Sequence, residues 1–259
     1  MRSLLGVAIG ACLLCAAVVA FAGQPLETES ARVLRAHQGE LELGFEHQQA
    51  EGSGETALPF AFGYGLTDRL ELLVEPVLLD RISREHAPSV RSFGDLEMTL
   101  TRRLSSLESA STIFAIAFEA KLPFAKSPQI GSGRADFTFW GIASRRFGVL
   151  DVSGDLGYTL VGKPVGLAVQ DVVNFGLATE YHVTPRWELV AEVFGATAKL
   201  ASTASGAQES STAPEIGGAE ITSSIGARVQ VPAGWVASFG LSVDRQGALL
   251  FHPGLSRKF

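Results

Sequence analysis

From residue 39 to the end of the chain, apolar and polar side chains alternate with the two-residue period of strands that have two unlike faces. Glu40-Leu41-Glu42-Leu43-Gly44-Phe45-Glu46 is the plainest stretch, with Leu41, Leu43 and Phe45 on one side and carboxylates on the other. Between Ala57 and Leu66 the pattern returns. Leu58, Phe60, Phe62, Tyr64 and Leu66 share a face, and Ala57, Pro59, Ala61, Gly63 and Gly65 opposite them are small. Twelve such segments can be marked, at 39–49, 57–66, 70–81, 94–104, 111–123, 136–145, 149–161, 172–183, 187–198, 218–231, 235–245 and 249–259. Each is close to the roughly 9–11 residues with which a tilted strand crosses a bilayer. The alternation blurs in places: Leu72-Leu73-Val74 and Leu78-Leu79 put bulk on both faces, and 136–145 mixes Trp140 and Ile142 with Thr138 and Ser144.

The connections predict the architecture. Thr67-Asp68-Arg69, Arg146-Phe147-Gly148, Thr184-Pro185-Arg186 and Pro232-Ala233-Gly234 read as tight turns, and 105–110 as a slightly longer one. Longer polar loops at 82–93, 124–135, 162–171 and 199–217 alternate with them, and 50–56 and 246–248 are short loops on that same side. Tight turns at one end and longer loops at the other are the pattern of an outer-membrane barrel. The expected fold is all-β: a closed antiparallel up-and-down transmembrane β-barrel of about twelve strands over 39–259. An even strand count puts both termini on the periplasmic side.

The first 22 residues read as a signal peptide: Met1-Arg2-Ser3, an apolar run from Leu4 to Ala20, and Ala20-Phe21-Ala22 as a site for cleavage before Gly23. Residues 23–38 are polar and mixed, and are expected as a periplasmic lead-in. Cys12 and Cys15 both lie in the signal segment, so the mature chain is expected to hold no disulfide, thiol nucleophile or cysteine metal site. The net charge of −6 argues against nucleic acid as a partner. Beyond the signal, no run approaches the length of an apolar transmembrane helix.

A soluble sandwich also alternates, so the apolar face must be assigned to lipid on other grounds. Ten of the sixteen phenylalanines fall on the apolar faces, among them Phe114, Phe118, Phe137, Phe139, Phe175 and Phe239. The opposite faces carry carboxylates and small residues but few lysines. Tyr64, Tyr158, Tyr181, Trp187 and Trp235 stand near strand ends, where interfacial girdles form, although Tyr and Trp also favour strands generally. The expected location is therefore the bacterial outer membrane, with its lipid as surroundings. The chain ends on Phe259 with Gly254 five residues earlier, which resembles the terminal signal read by the barrel assembly machinery, a further expected partner; Arg257 departs from that pattern.

From about residue 58 onward the chain resembles the outer-membrane barrels labelled "MetA-pathway of phenol degradation". The likeness rests on Phe93-Gly94-Asp95-Leu96-Glu97, on Phe118-Glu119-Ala120-Lys121-Leu122-Pro123 and on Gly131-Ser132-Gly133-Arg134-Ala135-Asp136-Phe137. It rests also on Gly154-Asp155-Leu156-Gly157-Tyr158 and on Asn174-Phe175-Gly176 leading to Thr184-Pro185-Arg186-Trp187. The resemblance implies passage of small, often aromatic or apolar, compounds across the outer membrane, and implies no catalytic residues.

Enzymatic chemistry finds little support. A membrane-embedded serine hydrolase needs a Ser–His pair with an acid or amide partner. Of the five histidines His47, His182 and His252 fall on predicted strands, and neither His47 nor His182 lies in a serine motif; no histidine pair has metal-ligand spacing, and no cofactor is expected. The candidate functional surface is the lumen. Alternation turns Glu71, Glu75, Asp95, Glu97, Glu119, Asp155, Glu180 and Glu192 inward, together with Glu40, Glu42, Glu188 and Glu220, His182 and the cations Arg103, Lys121 and Arg228. Two readings follow. A narrow acidic lumen concentrates neutral or cationic solutes, with selectivity shared by the loops at 82–93, 124–135 and 199–217. Alternatively the carboxylates pair with the few cations and plug a barrel whose role is structural or adhesive.

Overall fold

The computed structural model describes residues 26–104, 112–163, 169–197 and 221–259. Its strands are β1 (Gly39–Gly44), β2 (Glu46–Ala50), β3 (Ser53–Thr67), β4 (Leu70–Arg84), β5 (Ala87–Ser92), β6 (Leu96–Arg103) and β7 (Thr112–Leu122). They continue as β8 (Asp136–Phe147), β9 (Leu150–Leu160), β10 (Val172–His182), β11 (Trp187–Ala196), β12 (Ile221–Val231), β13 (Trp235–Asp244) and β14 (Leu249–Lys258). All pair antiparallel, and β1 meets both β3 and β14, so the sheet closes on itself. Closure removes the long free edge that an open sheet would expose to lipid.

The barrel has twelve staves, because two staves are broken. β1 and β2 both lie between β3 and β14, and β5 and β6 both pair with β4. Prolines account for the first break. Pro59 in β3 and Pro253 in β14 cannot donate to the ladder, and they flank Phe45, the residue between the two halves. At the second break a side chain on Gly94 would place its Cβ 2.6 Å from Val77, so only glycine lets the strands approach there.

Alternation decides which side chains meet the outside. In β10 Leu177 is 56 % exposed and its neighbour Ala178 is 0 % exposed. In β12 Ile225 is 65 % exposed beside Ser224 at 2 %. The exterior carries Phe114, Phe118, Phe139, Leu156, Leu241 and Phe251, while many of the buried residues are Ser, Thr, Asp and Glu. A polar inside and an apolar outside reverse the soluble arrangement and suit a hydrocarbon surround.

The two blurred stretches have separate causes. A register shift at Leu58/Pro59 inserts an extra residue into β4, which turns both Leu78 and Leu79 outward. Leu73 instead faces the interior beside an apolar patch formed there by residues 33 and 34. In β8 Thr138, Trp140, Ile142 and Ser144 all share the inward face.

Three expectations need revising. The span 82–93 is no loop: β4 runs to Arg84 and β5 begins at Ala87, joined by a tight turn with His86 at φ 63°. The 50–56 loop shrinks to the tip of a hairpin around Gly52, because β3 already starts at Ser53. The lead-in at 23–38 is the largest change, since its described part, 26–38, lies within the barrel against inward side chains. The 124–135 loop folds inward, with Ile130 only 7 % exposed. The signal peptide, the 105–110 turn, the 199–217 loop and Glu220 lie outside the described residues, as does part of 162–171.

Candidate functional site

The interior is built by wall residues and by the segment 26–38 acting together. The segment is anchored at the tight-turn end, where His37 N–H donates to the Gly65 carbonyl and Gly65 N–H to the Gln38 carbonyl. From there it runs inward with no helix or strand, so its N–H groups need other partners. Carboxylates of the wall and of the 67–69 turn satisfy four of them. Ala36 N–H donates to Asp68 (3.1 Å), Leu34 N–H to Glu71 (2.5 Å), Glu29 N–H to Asp155 (2.7 Å) and Glu27 N–H to Glu192 (3.0 Å). Ala31 N–H donates to the Ser144 hydroxyl at 3.0 Å. Ala31 and Leu34 are 0 % and 1 % exposed, and Ala31 packs with Ile113, Ala115, Ala117, Ile142 and Trp140. The barrel thus has an apolar core in its interior, centred on one alanine.

Beside that core lies a charge cluster near the tight-turn end. Asp151, 2 % exposed, accepts from Arg32 at 2.6 Å, from Arg146 through both oxygens, and faces His182 Nε2 at 2.9 Å. Arg228 pairs with Glu180 and lies 3.7 Å from Glu188, which in turn is 4.0 Å from His182 Nδ1. Three arginines face three carboxylates, with the imidazole between them. Such balance is what lets buried charges persist in a low-dielectric interior.

Among the described residues, two adjoining cavities lie against the segment. One, of about 440 Å³, is lined by nine carboxylate side chains, among them Glu75, Glu97, Glu119 and Asp155, and by one cation, Lys121. Trp140, Phe194 and Leu250 add apolar surface to it, and the Trp140 indole N–H holds Glu119 at 2.9 Å. The other, of about 230 Å³, is lined by Glu40, Glu42 and Glu71 together with Val33, Phe60 and Leu73. Glu27, Glu29, Glu46 and Glu75 border both, so the two spaces adjoin across the segment's inner end.

The predicted lumen residues are accordingly spread over different tasks. Glu75, Glu97, Glu119, Lys121 and Asp155 line the larger cavity; Glu71, Asp155 and Glu192 also hold the segment; Glu180, His182 and Arg228 belong to the charge cluster. Asp95 accepts from Ala125 N–H (3.0 Å) and so fastens the inward-folded 124–135 loop. Arg103 is at the tight-turn end, donating to the Asp68 carbonyl at 2.7 Å. Phe259 exchanges backbone hydrogen bonds with Gly39, and Gly254 pairs with Gly44, so both stand in the closing seam of the barrel.

Asp151 and Arg146 were missed, although alternation could have found them. They share inward faces with Asp155 and Ser144 in their own strands. Arg32 could not be found that way, since it belongs to a segment with no strand pattern. Among the described residues no cluster of His, Cys, Asp and Glu has the arrangement of a metal site.

No protein-family model matches the chain, and no curated protein sequence matches it. Solved structures do match in fold. An outer-membrane channel from Pseudomonas putida F1 superposes with a TM-score of 0.65 at 16 % identity, covering 88 % of this chain and 97 % of that one. The NanC porin superposes at 0.57 and 10 % identity, covering 85 % and 100 %. The KdgM porin, solved in complex with oligogalacturonate, superposes at 0.53 and 9 % identity, covering 84 % and 99 %. The fold is therefore that of outer-membrane barrels.

Proposed function

We propose that this barrel is a passive channel of a bacterial outer membrane for small neutral or cationic molecules, with residues 26–38 occupying its path. The observation that carries the reading is the larger cavity, an interior space of about 440 Å³ with nine carboxylates and a single lysine on its walls. One sign of charge between low-dielectric walls concentrates ions of the opposite sign and repels its own. The apolar exterior and the channels and porins of like fold support a transport role. Trp140, Phe194 and Leu250 give the cavity apolar patches, which suits the small aromatic or apolar compounds that the family resemblance implies.

Reversal potentials across planar bilayers test this reading. Under a salt gradient the protein is expected to pass cations in preference to anions, and anion preference would reject it. A second reading, a non-transporting structural barrel, is favoured by the segment and charge cluster filling the interior. It predicts no conductance even from a form lacking residues 26–36.

A further inference from the structure

We propose that Arg81 and Arg91 form an outward-facing seat for a phosphate group on a lipid headgroup of the outer leaflet. The inference goes beyond transport and depends only on the barrel standing in an outer membrane with its tight turns toward the periplasm. The two arginines are directly opposite each other in register, on β4 and β5. Both are exposed, and Asp80 and Ile82, which flank Arg81, are 7 % and 4 % exposed, so Arg81 and its register partner Arg91 point away from the interior. Directly opposed like charges on a sheet repel and lower its stability. Among the described residues neither arginine forms an ion pair with a carboxylate.

Height places the pair at a headgroup layer. Arg81 lies eleven residues beyond Leu70, where β4 leaves its tight turn. One of these, Leu78, is the bulge residue, so at about 3.3 Å per residue and a strand tilt near 40° the rise is about 25 Å along the barrel axis, the edge of an apolar band of about 25 Å. The band ends there in sequence as well: on the same outward face, Leu79 and Phe93 are 38 % and 62 % exposed, and the next residues along are Arg81 and Arg91. The row continues sideways through Thr56 to His47, whose Nδ1 lies 3.0 Å from the Thr56 hydroxyl, so it offers hydrogen bonds but no acid.

Exposed arginines at the other end of the barrel are partnered differently. Arg145 lies over Phe147 at 4.7 Å and Arg257 over Trp235 at 5.5 Å. Among the described residues Arg81 and Arg91 have no ring and no acid, only each other. A phosphate monoester between two guanidinium forks neutralises both and satisfies the bidentate geometry that arginine offers. The acyl chains of the same lipid would then lie along Leu79 and Phe93, an advantage a free phosphate ion lacks.

The test uses the full chain purified in detergent and native mass spectrometry with three probes: bis-phosphorylated lipid A, the same lipid with both phosphates removed, and inorganic phosphate. The protein is expected to retain lipid A, and to bind the dephosphorylated lipid at least tenfold more weakly. Arg81→Gln with Arg91→Gln should lose at least tenfold in lipid A affinity, and Arg81→Lys with Arg91→Lys should recover part of it. Equal binding of the two lipids, unchanged binding by the glutamine variant, or displacement of lipid A by an equal concentration of phosphate would overturn the proposal. Heat-modifiable gel mobility checks that each variant is folded, and the two-lipid comparison needs no variant. Conductance plays no part in these readouts, so the channel reading can fail without touching them.

Discussion

The seating of residues 26–36 should hinge on Asp151. Holding those eleven residues in one conformation costs about 11–22 kcal/mol at roughly 1–2 kcal/mol per residue. Against this stand four N–H bonds to carboxylates, from Glu27, Glu29, Leu34 and Ala36, worth about 1.5–3 kcal/mol each. The Ala31–Ser144 bond adds about 1 kcal/mol, and burial of Val33 and Leu34 about 1.5–3 kcal/mol each. Loss of one partner from a buried pair such as Arg32–Asp151 costs about 3–5 kcal/mol. The favourable terms total about 10–19 kcal/mol, so the two sides nearly cancel and the margin that holds the segment is smaller than that loss.

Asp151→Asn removes the charge that Arg32 meets, and its cost exceeds that margin. The seated state should therefore change from dominant to minor. The measurement is thiol labelling. Cys12 and Cys15 are the only cysteines of the chain, both in the expected signal segment, so Ala31→Cys reports on the interior. Its wild-type environment is 0 % exposed. A bulky maleimide should label the introduced thiol slowly in the otherwise native barrel and rapidly once Asp151→Asn is added. Protection of that thiol in a folded Asp151→Asn barrel equal to that of the parent would refute the reasoning.

Further outcomes follow from the same interior and exterior. Deletion of 26–36 should raise single-channel conductance in planar bilayers, and an unchanged value would mean that the segment lies off the conducting path. Gly65→Ala places a Cβ 1.9 Å from the Arg35 carbonyl oxygen, so the segment must shift, and maleimide labelling of the Ala31→Cys barrel should rise; unaltered protection would speak against that contact. Leu177→Arg puts a charge on the outer belt at a side chain that is 56 % exposed, and should lower stability by about 2–4 kcal/mol in refolding into vesicles. A loss below about 0.5 kcal/mol there would argue that this face meets water instead.

Much of the wall was legible in the chain, because a strand with lipid on one side and a polar interior on the other must alternate residue by residue. That periodicity located all twelve staves and turned Glu75, Glu119 and Asp155 inward. It blurred where the two-residue period itself breaks, at the Leu58/Pro59 bulge, and where an inward position meets other protein, as Leu73 and Ile142 do. Residues 26–38 carry no period at all, since their partners are supplied by distant strand and turn positions rather than by neighbours in the chain. Local sequence thus determined strand, face and turn, which depend on adjacent side chains and backbone sterics. Only the closed barrel decided that Arg32 would meet Asp151, that two cavities would flank the segment, and that Arg81 would face Arg91. Those depend on register and closure, which bring together residues that the chain itself keeps far apart.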